Sequence, residues 1–328
     1  CFWLVYVTID GVVSWAFINA SFFGADKASC MSSPHGACWP FITAKFNQFI
    51  YGNYPVSAQW RVNIVFALGA LGLGFLMVEG MGFKKQLAIV MLTVYPVLTF
   101  ILLSGGILGL GYVETNQWGG LLVTLVIAVT GIVFSLPLGI LLALGRRSEM
   151  PVIRSICVIY IEFWRGTPLI TILFMASVML PLFFPAGVEF DKVVRAMIGI
   201  TMFQSAYTAE AVRGGLAAIP RGQAEAAMAL GLGYWRRTVF ITLPQALKIS
   251  IPSIVNTFIA LFKDTSLVSI IGLLDLLNMA QTAARSVEWK GYDIEGYLFA
   301  GFIYWAFCYG MSRYSQNLER KLDTNRRN

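Results

Sequence analysis

Charge is scarce in this sequence, and histidine scarcer. Only 12% of the 328 residues are Asp, Glu, Lys or Arg, against roughly 25% in an ordinary soluble domain, and that shortfall excludes a soluble enzyme. His35 is the single histidine, so a nucleophile–histidine pair would have to use its loop, and the five cysteines make no zinc pattern with it. No G-x-x-x-x-G-K-[ST] run occurs, which removes a phosphate-cradling ATP site. What the chain has instead is apolar mass: 57% hydrophobic residues, 14% aromatics and a mean hydropathy of +0.70. Those values exclude disorder as well. The 31 glycines and 12 prolines run through apolar stretches, as membrane helices tolerate better than soluble ones. Because the chain opens on Cys1 rather than Met, a native N-terminus further upstream is expected.

A helix needs about 20 apolar residues to cross the hydrocarbon core of a bilayer. Eight stretches qualify, at 2–20, 61–78, 87–109, 119–144, 152–183, 193–212, 246–272 and 296–313. The fold class expected is therefore an all-α integral membrane protein of about eight transmembrane helices. The polar gaps alternate sides. One set holds Lys84, Lys85, Arg146, Arg147, Arg154, Arg213, Arg221, Arg236, Arg237, Lys248 and the cations from Arg313 onward. The other holds Lys27, Lys45, Arg61, Lys192, Arg195, Arg285 and Lys290, about half as many. The richer side is assigned to the cytoplasm, which places both ends of the sequence there. The net charge of +7 then reads as orientation and attraction to anionic lipid headgroups, not as nucleic-acid binding.

This topology puts the loop at about 21–60 outside. Cys157 and Cys308 lie in apolar runs and read as core thiols. Cys30 and Cys38 share the polar outer loop; whether they pair depends on the side it faces, and outside the cytoplasm a disulfide is favoured. Trp39, Phe41, Phe46, Phe49 and Tyr51 read as interface anchors or as packing for a small external cap, and their helical spacing favours an amphipathic segment on the membrane surface. Residues 1–112 are expected to form a scaffold of about three spans.

Four ionisable residues fall well inside expected spans: Glu162, Arg165, Lys263 and Asp264. At that depth each costs at least about 2.5 kcal/mol, so a functional site is the default hypothesis. The alternative is two buried ion pairs holding the bundle together. Local sequence favours a site. Arg165-Gly166-Thr167-Pro168 interrupts a stretch too long for one helix, and Lys263-Asp264-Thr265-Ser266 carries hydroxyls able to satisfy freed backbone groups. Two spans interrupted at matching depth point to a midplane substrate site. A zwitterion needs a cation for its carboxylate and an acceptor for its ammonium, and this set supplies both. Residues 220–231 carry a different signal: Pro220 suits a helix start, Gly231 a helix end, and the Ala, Met, Leu, Gln and Glu between them favour a short cytoplasmic helix. A plain solvated connector is the other reading.

Glu225-Ala226-Ala227, the following Gly231 and Leu243-Pro244 resemble the EAA loop of binding-protein-dependent ABC importer permeases. Arg165-Gly166-Thr167-Pro168-Leu169, Tyr207-Thr208-Ala209-Glu210 with Arg213-Gly214-Gly215, and Lys263-Asp264-Thr265-Ser266-Leu267 narrow the likeness to the polar amino acid permeases of the histidine, glutamine and arginine type. The extra N-terminal spans look like the larger permeases of general L-amino acid importers. The resemblance covers about residues 119–318 and implies a five-helix type I ABC importer permease core there. It further implies a bacterial inner-membrane location, a second homologous permease, two ATPase subunits that hold the ATP and magnesium, and a periplasmic amino acid binding protein. This chain would itself carry no cofactor and catalyse nothing. Gly222, Glu225, Ala226, Ala227 and Gly231 would belong to the coupling helix. Arg165, Gly166, Thr167, Pro168 and Glu162 would line one wall of the path, and Lys263, Asp264, Thr265 and Ser266 the other. Many relatives have glutamine seven residues after the RGTP arginine where this chain has Ile172, which implies that the partner permease does more of the binding. An ion-coupled secondary transporter of a small zwitterion would use the same charges, but it gives no reason for the EAA segment; a membrane enzyme would need more than one histidine.

Overall fold

The computed structural model describes residues 10–24, 27–31, 35–78, 82–107, 109–185 and 191–327, with side chains as far as Lys321. Those residues fold almost wholly as helix. The main elements are α1 (Pro40–Tyr51), α2 (Gln59–Met77), α3 (Lys84–Ser104), α4 (Gly120–Arg146), α5 (Pro151–Gly166) and α6 (Leu169–Phe174). They continue with α7 (Lys192–Ala217), α8 (Arg221–Ala229), α9 (Leu243–Asp264), α10 (Leu276–Ala284) and α11 (Asp293–Arg327). Two compact units emerge, one of residues 1–125 with 272–304, the other of 126–271 with 305–328.

In the first unit, α2 and α3 are apolar on every face. Leu68, Leu71, Leu73 and Phe75 on α2 are exposed, as are Ile89, Leu92, Val94 and Val97 on α3, a pattern that suits lipid rather than water. The Tyr95 hydroxyl donates to the Val65 carbonyl at 3.0 Å and holds the two helices together. Arg61 is buried at the start of α2 and donates to the Gly111 carbonyl at 2.9 Å. Helix α1 buries Phe41 and Phe49 completely. Their rings meet Trp289 and Tyr292, and Phe299, at centroid separations of 5.3–6.3 Å. Helix α1 is two-faced: Pro40, Phe41, Ile42 and Phe49 find protein partners from residues 272–304, the small-cap packing that the sequence offered as one reading, while Thr43, Ala44, Phe46 and Asn47 stay exposed. Cys30 and Cys38 are joined by a disulfide with Cα atoms 5.5 Å apart. The Cys38 amide donates to the buried Glu295 carboxylate at 2.9 Å.

The second unit packs α7 along α9 and against α5 and α6. Small residues allow the close approach: a Cβ at Gly139 of α4 would sit 2.7 Å from the Thr208 Cβ of α7. Leu142, Ala143, Ile161, Ala209, Val212, Leu216 and Ala246 form the shared core.

Among the described residues, Val56–Met77, Lys84–Ser104, Gly120–Arg146 and Tyr234–Ile271 are long and apolar enough to cross a membrane. Pro151–Gly166 with Leu169–Phe183 adds a fifth span if this bent pair counts as one. The stretches expected at 193–212 and 296–313 lie within helices α7 and α11, which are more polar. Most of the stretch at 2–20 falls outside the described residues.

Candidate functional site

The RGTP segment breaks the chain sharply. Helix α5 ends at Gly166, Thr167 is extended at φ −103° and ψ 131°, and α6 begins after Pro168. The two helical pieces, α5 and Leu169–Phe183, meet at 105°. Proline explains the bend, since its ring drives the preceding residue out of helical conformation and it has no amide proton to donate. The Thr167 hydroxyl donates to the Phe163 carbonyl at 2.9 Å, satisfying an acceptor that the break frees. Lys263-Asp264-Thr265-Ser266 behaves differently. There α9 tightens into a 3₁₀ segment, Thr265–Ile271, within one continuous helical run. The Thr265 hydroxyl donates to the Phe262 carbonyl at 2.7 Å. Only the first of the two expected interruptions is a break. The two motifs are nonetheless neighbours, because α6 packs directly on Thr265–Ile271.

The four intramembrane charges do not form two pairs. Glu162 is bonded to Arg146 at 3.0 Å, and Arg165 lies 3.6 Å from Glu210. Among the described residues Lys263 and Asp264 make no ion pair. Glu210, on α7, is the centre. Its carboxylate accepts from Arg146 at 2.7 Å and from Arg213 Nη2 and Nε at 2.9 and 3.0 Å, with Arg165 on the same oxygen as Arg213. Its side chain is only 16% exposed. Arg165 also sits over the Tyr207 ring, 5.9 Å from the centroid. One carboxylate thus ties the end of α4, the end of α5 and its own helix α7 to a shared point. Such a network holds while the helices stay put and must be broken or carried along if they separate.

Helix α8 is a defined element. Leu230 closes it, Gly231 follows at φ +76°, and the Gly231 and Leu232 amides donate back to Met228 at 2.9 Å and Ala227 at 3.0 Å. This is a Schellman ending, whose left-handed residue is nearly always glycine for lack of a Cβ clash. Ala227 is buried against the helical turn Thr238–Thr242 that leads into α9, while Gly222, Glu225 and Ala226 face outward. The inward face anchors the helix; the outward face is left for something else.

Residues 135–324 match the family described as binding-protein-dependent transport system inner membrane component. The chain belongs to this family. Within it, the permease stands among the amino-acid ABC transporter permeases. It is 51% identical over 326 residues to the inner membrane amino-acid ABC transporter permease protein YhdY of Escherichia coli, covering 99% of this chain and 88% of that protein. It is 43% identical over 351 residues to the glutamate/glutamine/aspartate/asparagine transport system permease protein BztC of Rhodobacter capsulatus, covering 89% and 80%. A solved structure titled as an amino acid ABC transporter with histidines aligns at a TM-score of 0.54 and 30% identity, over 62% of this chain and 92% of that one. The permease is an inner-membrane transport subunit, not an enzyme.

Sequence reasoning missed Glu210 and Arg146 as parts of the site. Both lie near the ends of expected spans, where a charge is cheap, so depth gave no signal. The spacing did carry one: Glu210 and Arg213 stand three residues apart on one helix face. Ile172 is fully buried, with its Cγ2 3.5 Å from where a Cβ on Gly199 would stand. Its place in this permease is packing between α6 and α7.

Proposed function

We propose that the permease forms, with a second homologous permease, the translocation path of an ATP-driven, binding-protein-dependent amino acid importer. Two cytoplasmic ATPase subunits power the complex, and a periplasmic binding protein delivers the substrate. Both ends of the sequence lie in the cytoplasm, which also receives α8. Helix α8 is the coupling element: Glu225 and Ala226 meet the ATPase while Ala227 and the Gly231 ending fix the helix to its own membrane unit. The names of the relatives support the substrate class. The observation that carries the coupling role is the pairing of a buried Ala227 with an outward Gly222, Glu225 and Ala226 on a helix closed at its C-terminal end by the tight turn at Gly231. Arg165, Gly166, Thr167, Pro168 and Glu162 line one wall of the path and Lys263, Asp264, Thr265 and Ser266 the other, brought near each other by α6. The Glu210 network latches α4, α5 and α7 and must rearrange as the path opens inward.

The test is Glu225→Ala in the assembled complex. Substrate-stimulated ATP hydrolysis and uptake should fall together while membrane insertion and permease pairing persist. Wild-type rates of both would remove the coupling assignment.

A further inference from the structure

Arg61 is a buried charge outside the network around Glu210. It stands in the first turn of α2, only 7% exposed, and no carboxylate pairs with it among the described residues. Glu114, the acid on the loop that follows α3, is exposed and accepts from Asn116 at 2.7 Å instead. The Arg61 Nη1 donates to the Gly111 carbonyl of that loop at 2.9 Å. Its Nε is enclosed without a hydrogen-bond partner among the described residues. The Tyr54 phenol lies within electrostatic reach, but it gives its own proton to the Leu103 carbonyl at 2.8 Å and brings no negative charge. A buried cation without an anion is among the most costly arrangements a fold can hold. The positive end of the α2 dipole adds to that cost.

The guanidinium is built for an oxyanion. Backbone closes its Nη1 side: a Cβ on Gly105 would fall 2.8 Å from that nitrogen. The edge that carries Nε remains, and a guanidinium edge meets two oxygens of one phosphate or carboxylate. Depth decides between those two. Arg61 lies five residues into the span Val56–Met77, roughly 8 Å along a helix, which is the thickness of a bilayer's headgroup layer. Trp60 beside it is 48% exposed, and tryptophan marks that layer. Ile64 and Leu68 are each 40% exposed; three and seven residues on, they point within about 60° of Arg61 round the helix. The apolar face and the guanidinium therefore share one side of α2. A phosphate already resident in the headgroup layer meets both, whereas a carboxylate on a soluble partner would have to enter that layer.

We propose that Arg61 binds a phosphate group through its Nε edge, at the level of the membrane headgroups. Phospholipid headgroups are the standing source at that depth, and free inorganic phosphate is the other. The bound anion neutralises Arg61 and pins the start of α2 to the loop after α3. Both leaflets carry phosphate, so the site does not depend on which way the permease faces.

The test uses the purified complex, delipidated by detergent exchange, in two arms. In one, native mass spectrometry counts the phosphatidylglycerol kept after return to mixed phosphatidylglycerol and phosphatidylethanolamine nanodiscs. In the other, Tm is followed as inorganic phosphate is added at constant ionic strength. Wild type should respond in at least one arm, and the responding arm names the source. Arg61→Gln should weaken that response about ten-fold or more, as expected when a charge-assisted paired contact is lost. Arg61→Lys keeps the charge without the two-donor edge and should recover only part of the response. Lys84→Gln/Lys85→Gln, which removes charge at the other end of the α2–α3 pair, should change neither arm. Equal loss in that control would reduce the effect to diffuse attraction and overturn the site. A wild type silent in both arms, or Arg61→Gln matching wild type, overturns it too. Should Arg61→Gln assemble poorly, Arg61→Lys carries the comparison, and a response equal to wild type overturns the paired-donor site. Transport is not read, so failure of the importer reading leaves this result standing.

Discussion

Glu210→Gln removes one carboxylate and leaves three guanidiniums facing one another. In wild type, Glu210 is 16% exposed, Arg146 24%, Arg165 37% and Arg213 42%. Breaking a fully buried pair by deleting one partner costs about 3–5 kcal/mol, whereas exposed pairs are worth up to about 1 kcal/mol. The half-buried geometry places this junction between those limits, at about 2–3 kcal/mol. For a chain of 328 residues that corresponds to a fall in Tm of about 3–5 °C. Thermal unfolding of the detergent-solubilised complex, followed by size-exclusion fluorescence, measures it. Glu210→Gln/Arg213→Gln removes a cation along with the carboxylate and should recover roughly half of the loss. A Glu210→Gln complex with the wild-type Tm would refute the idea that this carboxylate holds α4, α5 and α7 together.

Gly231→Leu forces a branched side chain into φ +76°, which costs about 1–2 kcal/mol; it should fray the end of α8 and lower ATPase stimulation, and unchanged stimulation would contradict the proposed role of the Schellman ending. Lys263→Met/Asp264→Leu should assemble with its ATPases and fail in uptake, because these residues form no ion pair whose loss would unfold the bundle; near wild-type uptake would remove both from the substrate path. In non-reduced, oxidatively matured protein, Cys30 and Cys38 should resist maleimide until a reductant is added, and full labelling beforehand would count against the disulfide and the external placement of its loop.

The apolar helices were legible because their signal is composition over a long window, which tertiary context does not alter. Helix α8 was legible for a different reason: Pro220, the alanines and Gly231 are local punctuation, and local rules decide a short exposed helix. The RGTP break followed from Pro168 alone. The cap was harder to read. Phe41 and Phe49 carry the spacing of an amphipathic surface helix, and only the return of residues 272–304 to the first unit shows what covers them. The Glu210 junction was illegible as a unit because its members come from three helices, with Arg146 and Glu210 64 residues apart. The alternative of two ion pairs, which the sequence already disfavoured, fails on the same point: neighbours in sequence are not the partners when helices from elsewhere present a better-placed charge.

Uptake into vesicles tests the importer account most directly. The complex, reconstituted with its binding protein outside and ATP enclosed, should accumulate labelled amino acid only when both are present, and Glu225→Ala should abolish that ATP-driven accumulation. Accumulation driven by a proton or sodium gradient in the absence of ATP would contradict it.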